Sequence, residues 1–115
     1  MKQLGIIGGT GVSDLDGLAR VASHRPDTPF GASSGAIEEG LLDDCRVFFL
    51  QRHGRPALIP PHLVNYRANL WALKQRGVRA CIGVNTVGAI DAGLVPGELA
   101  VPDQLIDYTY GRVST

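Results

Sequence analysis

Three short stretches of this sequence carry residue types suited to holding an anion. The first is Gly8-Gly9-Thr10-Gly11, directly after the apolar run Leu4-Gly5-Ile6-Ile7. Consecutive glycines let several backbone N–H groups converge on one point, and such a nest binds anions. Thr10 adds a hydroxyl. The same turn also serves, with no ligand, as a tight connection from strand to helix. The second stretch is Arg52-His53-Gly54-Arg55, which ends the run Val47-Phe48-Phe49-Leu50-Gln51. A guanidinium offers a planar donor fork that suits phosphate oxygens. Imidazole donates from either ring nitrogen and changes charge near neutral pH. The abrupt change from four apolar residues to Arg-His favours a binding role over a solvated basic turn. The third is Asn85-Thr86 ahead of Val87-Gly88-Ala89. It supplies neutral donors, and taken alone it reads equally as a strand cap. One arginine, one histidine, hydroxyls and backbone amides together are a recurrent way to hold phosphate.

Other chemistries fit less well. The dinucleotide fingerprint is half met, because Gly9-Thr10-Gly11 is followed by Val12-Ser13-Asp14 with no closing glycine, and no Gly-Lys-Ser/Thr follows the turn. His24, His53 and His62 have no ligand spacing for a metal, so none is expected. There is no nucleophile elbow and no CxxC. His62, after Pro60-Pro61, reads as a turn histidine. Glu38-Glu39 and Asp43-Asp44 read as solvated turns.

The elements that must position these residues follow from local pattern. Leu4 to Ile7, Ala36 to Leu42, Arg46 to Leu50 and Cys81 to Val84 read as strands, and residues 24–35 as a loop. Val12 to Leu18 reads as a turn or short helix, with Ser13 or Asp14 as its cap. A helix is expected from Tyr66 to Arg76, with Asn65 as N-cap and Gly77 as its stop. Tyr66, Leu70 and Leu73 share one face at helical spacing. Trp71 lies off that face, as a second packing contact or as part of a subunit interface. Leu94 to Gly97 reads as a turn and Glu98 to Val101 as a last strand, edged by Pro102. Strands alternating with a helix predict an α/β fold with a mixed central sheet flanked by helices. Ligands of such sheets collect beyond the carboxyl ends of the strands, where all three stretches fall.

Composition narrows the partners. Hydrophobic residues make up 44% and charged residues 19% of the 115 residues, which is globular usage. Eleven basic residues balance 11 acidic ones, so general binding to nucleic acid or an anionic membrane is not expected. No apolar run approaches the roughly 20 residues of a membrane span, and Met1-Lys2-Gln3 leads straight into a strand without a secretory pattern. The expectation is a cytoplasmic protein with Cys45 and Cys81 as buried free thiols.

Four blocks fit one family in order and spacing: Gly5-Ile6-Ile7-Gly8-Gly9-Thr10-Gly11, Asp27-Thr28-Pro29-Phe30-Gly31, Arg52-His53-Gly54, and Val64-Asn65-Tyr66-Arg67-Ala68-Asn69-Leu70-Trp71-Ala72-Leu73-Lys74. They resemble the methylthioadenosine phosphorylase branch of the trimeric purine nucleoside phosphorylases, over essentially the whole chain. The resemblance implies an enzyme, a pentosyltransferase. In it, inorganic phosphate, a co-substrate, displaces the purine from a nucleoside without metal, cofactor or covalent intermediate. It implies phosphate contacts from Thr10, Arg52, His53, Asn85 and Thr86. The loop Asn85-Thr86-Val87-Gly88-Ala89-Ile90 is similar to the 6-oxopurine type. That tilts the expected substrate toward S-methyl-5′-thioinosine, with methylthioadenosine or a general purine nucleoside as alternatives. A homotrimer is implied. Residues 1–115 are expected to be the N-terminal portion of a single phosphorylase domain, an incomplete phosphorylase/hydrolase-like fold. The purine-contacting acid is then expected beyond Thr115, and the fragment alone is expected to be inactive. A Rossmann-like nucleotide-binding module without catalysis is the alternative of another class, motivated by the glycine turn.

Overall fold

Val47-Phe48-Phe49-Leu50 is a run that alternates with nothing polar, as in a strand covered on both faces. The computed structural model, which describes residues 1–9 and 16–113, places it at the centre of a sheet. Strand β1 spans Lys2–Gly8, β2 Ala19–His24, β3 Ile37–Leu42, β4 Cys45–Gln51 and β5 Ala80–Val84. The spatial order is β2-β3-β4-β1-β5. β2, β3 and β4 pair antiparallel, whereas β1 pairs parallel with both β4 and β5. The sheet is therefore mixed, as expected for this α/β class. Leu50 and Val47 are fully buried, and Phe48 and Phe49 nearly so.

One α-helix is found among the described residues, α1 over Tyr66–Gln75. Its start and stop are those read from sequence. The Asn65 side chain accepts the Ala68 N–H at 3.1 Å, an N-cap contact that typically stabilises a helix by about 1 kcal/mol. At the other end Gly77 N–H donates to the Lys74 carbonyl at 3.0 Å and Val78 N–H to the Leu73 carbonyl at 3.3 Å. This is the Schellman pair of bonds, and it needs the left-handed φ of +81° that Gly77 adopts.

The buried face of α1 differs from the expected one. Ala68, Asn69, Ala72 and Leu73 are buried, while Leu70 is 55% exposed. The reason is close packing. The chain runs from β4 through α1 to β5, and so must pass β1, which lies between those strands. A Cβ on Gly5 of β1 would come within 2.9 Å of Val78 Cγ1 and 3.2 Å of Leu73 Cδ1. The glycine thus gives Leu73 its seat, and Ala72 joins Leu73 in the core, while Leu70 faces away. Ile37, Phe48, Leu50, Ala72 and Leu73 form the core there, with Ile7 and Val78 packed against it. Burial of each large apolar side chain contributes roughly 1.5–3 kcal/mol.

Several local expectations are corrected. His24 ends a strand, β2, which continues the sheet past β3 with an irregular register between Arg20 and Ala22. β3 falls within the strand expected from Ala36 to Leu42, so Glu38 and Glu39 lie inside it and not in the solvated turn expected of the pair. Asp43-Asp44 is a turn, with Asp43 at φ 52°. Of the turn expected over Leu94 to Gly97, Pro96-Gly97 forms one, closed by the Glu98 N–H on the Val95 carbonyl, and Gly97 takes φ +92°. Glu98 to Val101 is not a strand; Leu99 and Val101 are almost fully exposed, with no neighbouring strand to pair with among the described residues. Cys45 and Cys81 are free thiols, but neither is buried: Cys45 is half-buried and Cys81 exposed. Cys81 lies on β5, the sheet's edge strand, four of whose five residues are exposed. The turn or helix expected from Val12 to Leu18 falls largely outside the described residues; Asp16-Gly17 is a turn. No helix among the described residues is long and apolar enough to cross a membrane.

Candidate functional site

The parallel pairing brings three strand ends level. Gly8, the last residue of β1, lies opposite Gln51 of β4 and Val84 of β5, the last residues of those strands. Gly9, Arg52 and Asn85 are therefore the next residues on three neighbouring strands. This is the carboxyl edge of the parallel part of the sheet, where backbone and side-chain donors converge. Thr10 lies outside the described residues.

Arg52 is tied to this edge by its backbone, whose N–H donates to the Gly8 carbonyl at 2.9 Å. Its side chain lies against Gly9, so closely that a Cβ there would overlap the guanidinium. Arg52 is half-buried. Among the described residues its guanidinium has no hydrogen-bond or ion-pair partner. A partly desolvated cation without a carboxylate suits an incoming anion.

His53 is held by its own loop. Its Nδ1 lies 2.8 Å from the Ile59 carbonyl oxygen, and the Ile59 N–H donates back to the His53 carbonyl at 3.0 Å. Because a carbonyl only accepts, Nδ1 carries the hydrogen. That leaves Nε2 for a ligand: an acceptor in the neutral ring, a donor in the imidazolium. Gly54 closes the turn at φ +80°, its N–H donating to the Gln51 carbonyl at 3.2 Å. What comes close to Gly54 is the Ser34 carbonyl, which a Cβ would meet at 3.1 Å. Asn85 and Thr86 follow β5 and are exposed. The register thus brings Arg52, His53, Asn85 and Thr86 to the same edge.

A second set of contacts fastens the loop ahead of β3 onto α1. The Thr28 hydroxyl donates to the Gly31 carbonyl at 2.6 Å, and Asn65 Nδ2 donates to the Phe30 carbonyl at 2.8 Å. The Phe30 ring meets Trp71 edge-on at 5.7 Å between centroids, and the Arg67 guanidinium lies 5.0 Å from its face. Trp71 is thus a packing contact, 37% exposed. The sequence pattern gave Asn65 only as the N-cap; its second bond, to the Phe30 carbonyl 35 residues away, left no local signal.

Glu39 is the other correction. It is buried and takes His24 Nε2 at 2.5 Å and Arg46 Nη1 at 2.6 Å. The His24 hydrogen bond, helped by the Arg46 charge and opposed by burial, holds its carboxyl below the ordinary value of 4.5. It sits opposite Phe48, within the body of the sheet and not at the carboxyl edge of the parallel strands. His62 lies exposed in a short 3-10 helix, Pro61–Leu63, as a turn histidine does. Among the described residues no His, Cys, Asp or Glu cluster of three or more is placed to hold a metal ion.

Fold and edge together define an α/β domain whose parallel strands end in residue types suited to an anion. The chain belongs to the phosphorylase superfamily, whose family model matches residues 3–115. It is 54% identical over 112 residues to a probable S-methyl-5′-thioinosine phosphorylase of Xanthomonas campestris pv. campestris, covering 97% of this chain and 45% of that protein. It is 47% identical over 112 residues to the S-methyl-5′-thioadenosine phosphorylase of Hyperthermus butylicus, covering 97% of this chain and 41% of that one. The structure of a Schistosoma mansoni methylthioadenosine phosphorylase in complex with adenine superposes with a TM-score of 0.92 at 42% identity, covering all of this chain and 42% of the other. The chain spans less than half the length of these relatives.

Proposed function

We propose that this protein carries out phosphorolysis of a purine 5′-methylthionucleoside, with S-methyl-5′-thioinosine as the first candidate. The products would be the free purine and 5-methylthioribose 1-phosphate, a purine-salvage reaction. The observation that carries the reading is the Arg52 guanidinium, without a partner among the described residues, at the level carboxyl ends of β1, β4 and β5. Names of relatives at 54% and 47% identity support the 5′-methylthio substituent, in inosine and adenosine form respectively.

In this reading the five residues Thr10, Arg52, His53, Asn85 and Thr86 hold inorganic phosphate. A phosphate oxygen attacks the ribosyl C1′ while the bond to the purine breaks, through an oxocarbenium-like state. No metal or cofactor takes part. The protein's contribution at this edge is to orient a dianion and strip part of its water, which fixed donors do without reorganising during the reaction. The active assembly in this reading is a homotrimer in the cytoplasm.

The test is phosphate-dependent release of free purine by the intact gene product from methylthioinosine, methylthioadenosine and inosine. Release from none of the three with phosphate present overturns the proposal. Release from methylthioadenosine in preference to methylthioinosine reassigns the base. Arg52→Ala is expected to raise the phosphate KM about tenfold to a hundredfold, the scale of lost hydrogen bonds to a charged group.

A further inference from the structure

We propose that Gly9 is a positioning residue for phosphate, its missing side chain being the seat of the Arg52 guanidinium. The proposal rests on the phosphate reading of this edge. It starts from a distinction among the glycines. Gly54 and Gly77 have φ values of +80° and +81°, which by themselves favour glycine. Gly9 does not: its φ lies outside the left-handed region, so its backbone accepts any L residue. What excludes a side chain there is occupied space. An ideal Cβ would overlap Arg52 Nη2, and it would lie 3.0 Å from Arg52 Cζ and 3.1 Å from the Val84 carbonyl oxygen. The neighbours of Gly5, by contrast, are the apolar side chains of Val78 and Leu73.

The root of Arg52 cannot shift to make room. Its backbone N–H is bound to the Gly8 carbonyl, one residue before the glycine its side chain covers. The guanidinium therefore rests where β1 leaves the sheet, on a buried residue that presents only backbone. A methyl group at position 9 meets the far end of a flexible side chain more closely than it meets the Val84 backbone. Alanine thus displaces the guanidinium, and asks of the Val84 carbonyl a shift of only a few tenths of an ångström. Gly9 then acts on phosphate through Arg52, and its effect exists only while Arg52 is an arginine.

That dependence is the test. Gly9→Ala, Arg52→Ala and the double variant are compared in the intact gene product for phosphate KM and nucleoside KM. Gly9→Ala is expected to raise the phosphate KM about tenfold, as loss of one charged hydrogen bond does, and to move the nucleoside KM by less than about twofold. The double variant is expected to match Arg52→Ala alone, because interacting residues are non-additive. Multiplying costs in the double variant, or an unchanged phosphate KM in Gly9→Ala, overturns the role of Gly9. If Arg52→Ala leaves the phosphate KM unchanged, the phosphate reading of the edge fails first and this proposal with it. Should Gly9→Ala not fold, the double variant decides: it is expected to fold, the overlap being gone. If it too fails to fold, the glycine serves the strand and not the arginine.

Discussion

Asn69 of the helix holds Ser34 of the loop by two bonds at once. Its Oδ1 accepts the Ser34 backbone N–H at 2.8 Å, and its Nδ2 donates to the Ser34 hydroxyl at 3.0 Å. Both residues are buried. Ser34 in turn lies against Gly54, so the clamp reaches from α1 to the turn that carries His53. Asn69→Leu removes both partners of Ser34 inside the protein. We expect a loss of about 2–4 kcal/mol, since each stranded buried polar group costs roughly 1–3 kcal/mol. Urea unfolding measures it, and a midpoint unchanged from the parent would contradict the clamp.

The His53 tautomer makes a discriminating prediction. With Nδ1–H spent on the Ile59 carbonyl, only Nε2 is left to meet phosphate in the proposed reaction. Glutamine places an amide nitrogen near the Nε2 position, and asparagine near Nδ1. His53→Gln is therefore expected to keep a phosphate KM several-fold lower than His53→Asn. The reverse order, measured by steady-state kinetics on the intact gene product, would show that the ligand meets the other nitrogen.

Glu39 sets an acid limit on stability. Its folded pKa is lowered, chiefly by the His24 hydrogen bond and also by the Arg46 charge. A depressed carboxyl contributes its full stabilisation above the ordinary value of 4.5 and loses it as the pH falls through the lowered folded value. Glu39→Gln should cost about 1–3 kcal/mol at neutral pH, less than a fully buried pair, because the Arg46 side chain is 41% exposed and screened. Below pH 4.5 the variant's stability should vary less steeply than the parent's. Parallel acid limbs in pH-dependent unfolding would count against the assignment.

Gly77→Ala tests the helix stop. A left-handed φ of +81° penalises any side chain, and a Cβ there would meet Gln3 Oε1 at 2.5 Å. A loss of about 1–2 kcal/mol is expected, seen as a lower Tm. An unchanged or raised Tm would mean that the turn relaxes without cost.

The sequence made the centre of this fold legible and its margins much less so. β4 announced itself by four apolar residues, and α1 by a cap and a stop whose chemistry is local: Asn65 and Gly77 act on neighbours within a few residues. β2 did not, because Ala19–His24 is largely exposed, its half-buried residues are the small Ala22 and the polar His24, and its register is irregular. The acid pair in β3 misled for a related reason. What makes Glu39 a buried group is His24 and Arg46, each on another strand, and no local pattern reports a partner on a neighbouring strand. The helix face was misread because the spacing of Tyr66, Leu70 and Leu73 counts hydrophobicity, while the face that packs over Gly5 carries Leu73 together with Ala68, Asn69 and Ala72 and leaves Leu70 exposed. The strand-end motifs at Arg52-His53 and Asn85-Thr86 were visible as residues. That they meet depended on the register of β1 with β4 and β5. Thr10 stands outside the described residues.

The level ends of β1, β4 and β5 also bear on how the chain acquires its chemistry. Parallel strands cannot be joined by a hairpin; each pairing waits for a crossover, and such long-range contacts form late and slowly. Gly9, Arg52 and Asn85 are remote along the chain and adjacent only when both parallel pairings exist. A half-zipped sheet, with β5 still unattached, holds only part of the set. An anion recognised by the complete edge would bind the finished sheet and not its precursors, and so would pull folding toward completion by mass action. Affinity for such an anion would, in that sense, proofread the topology itself.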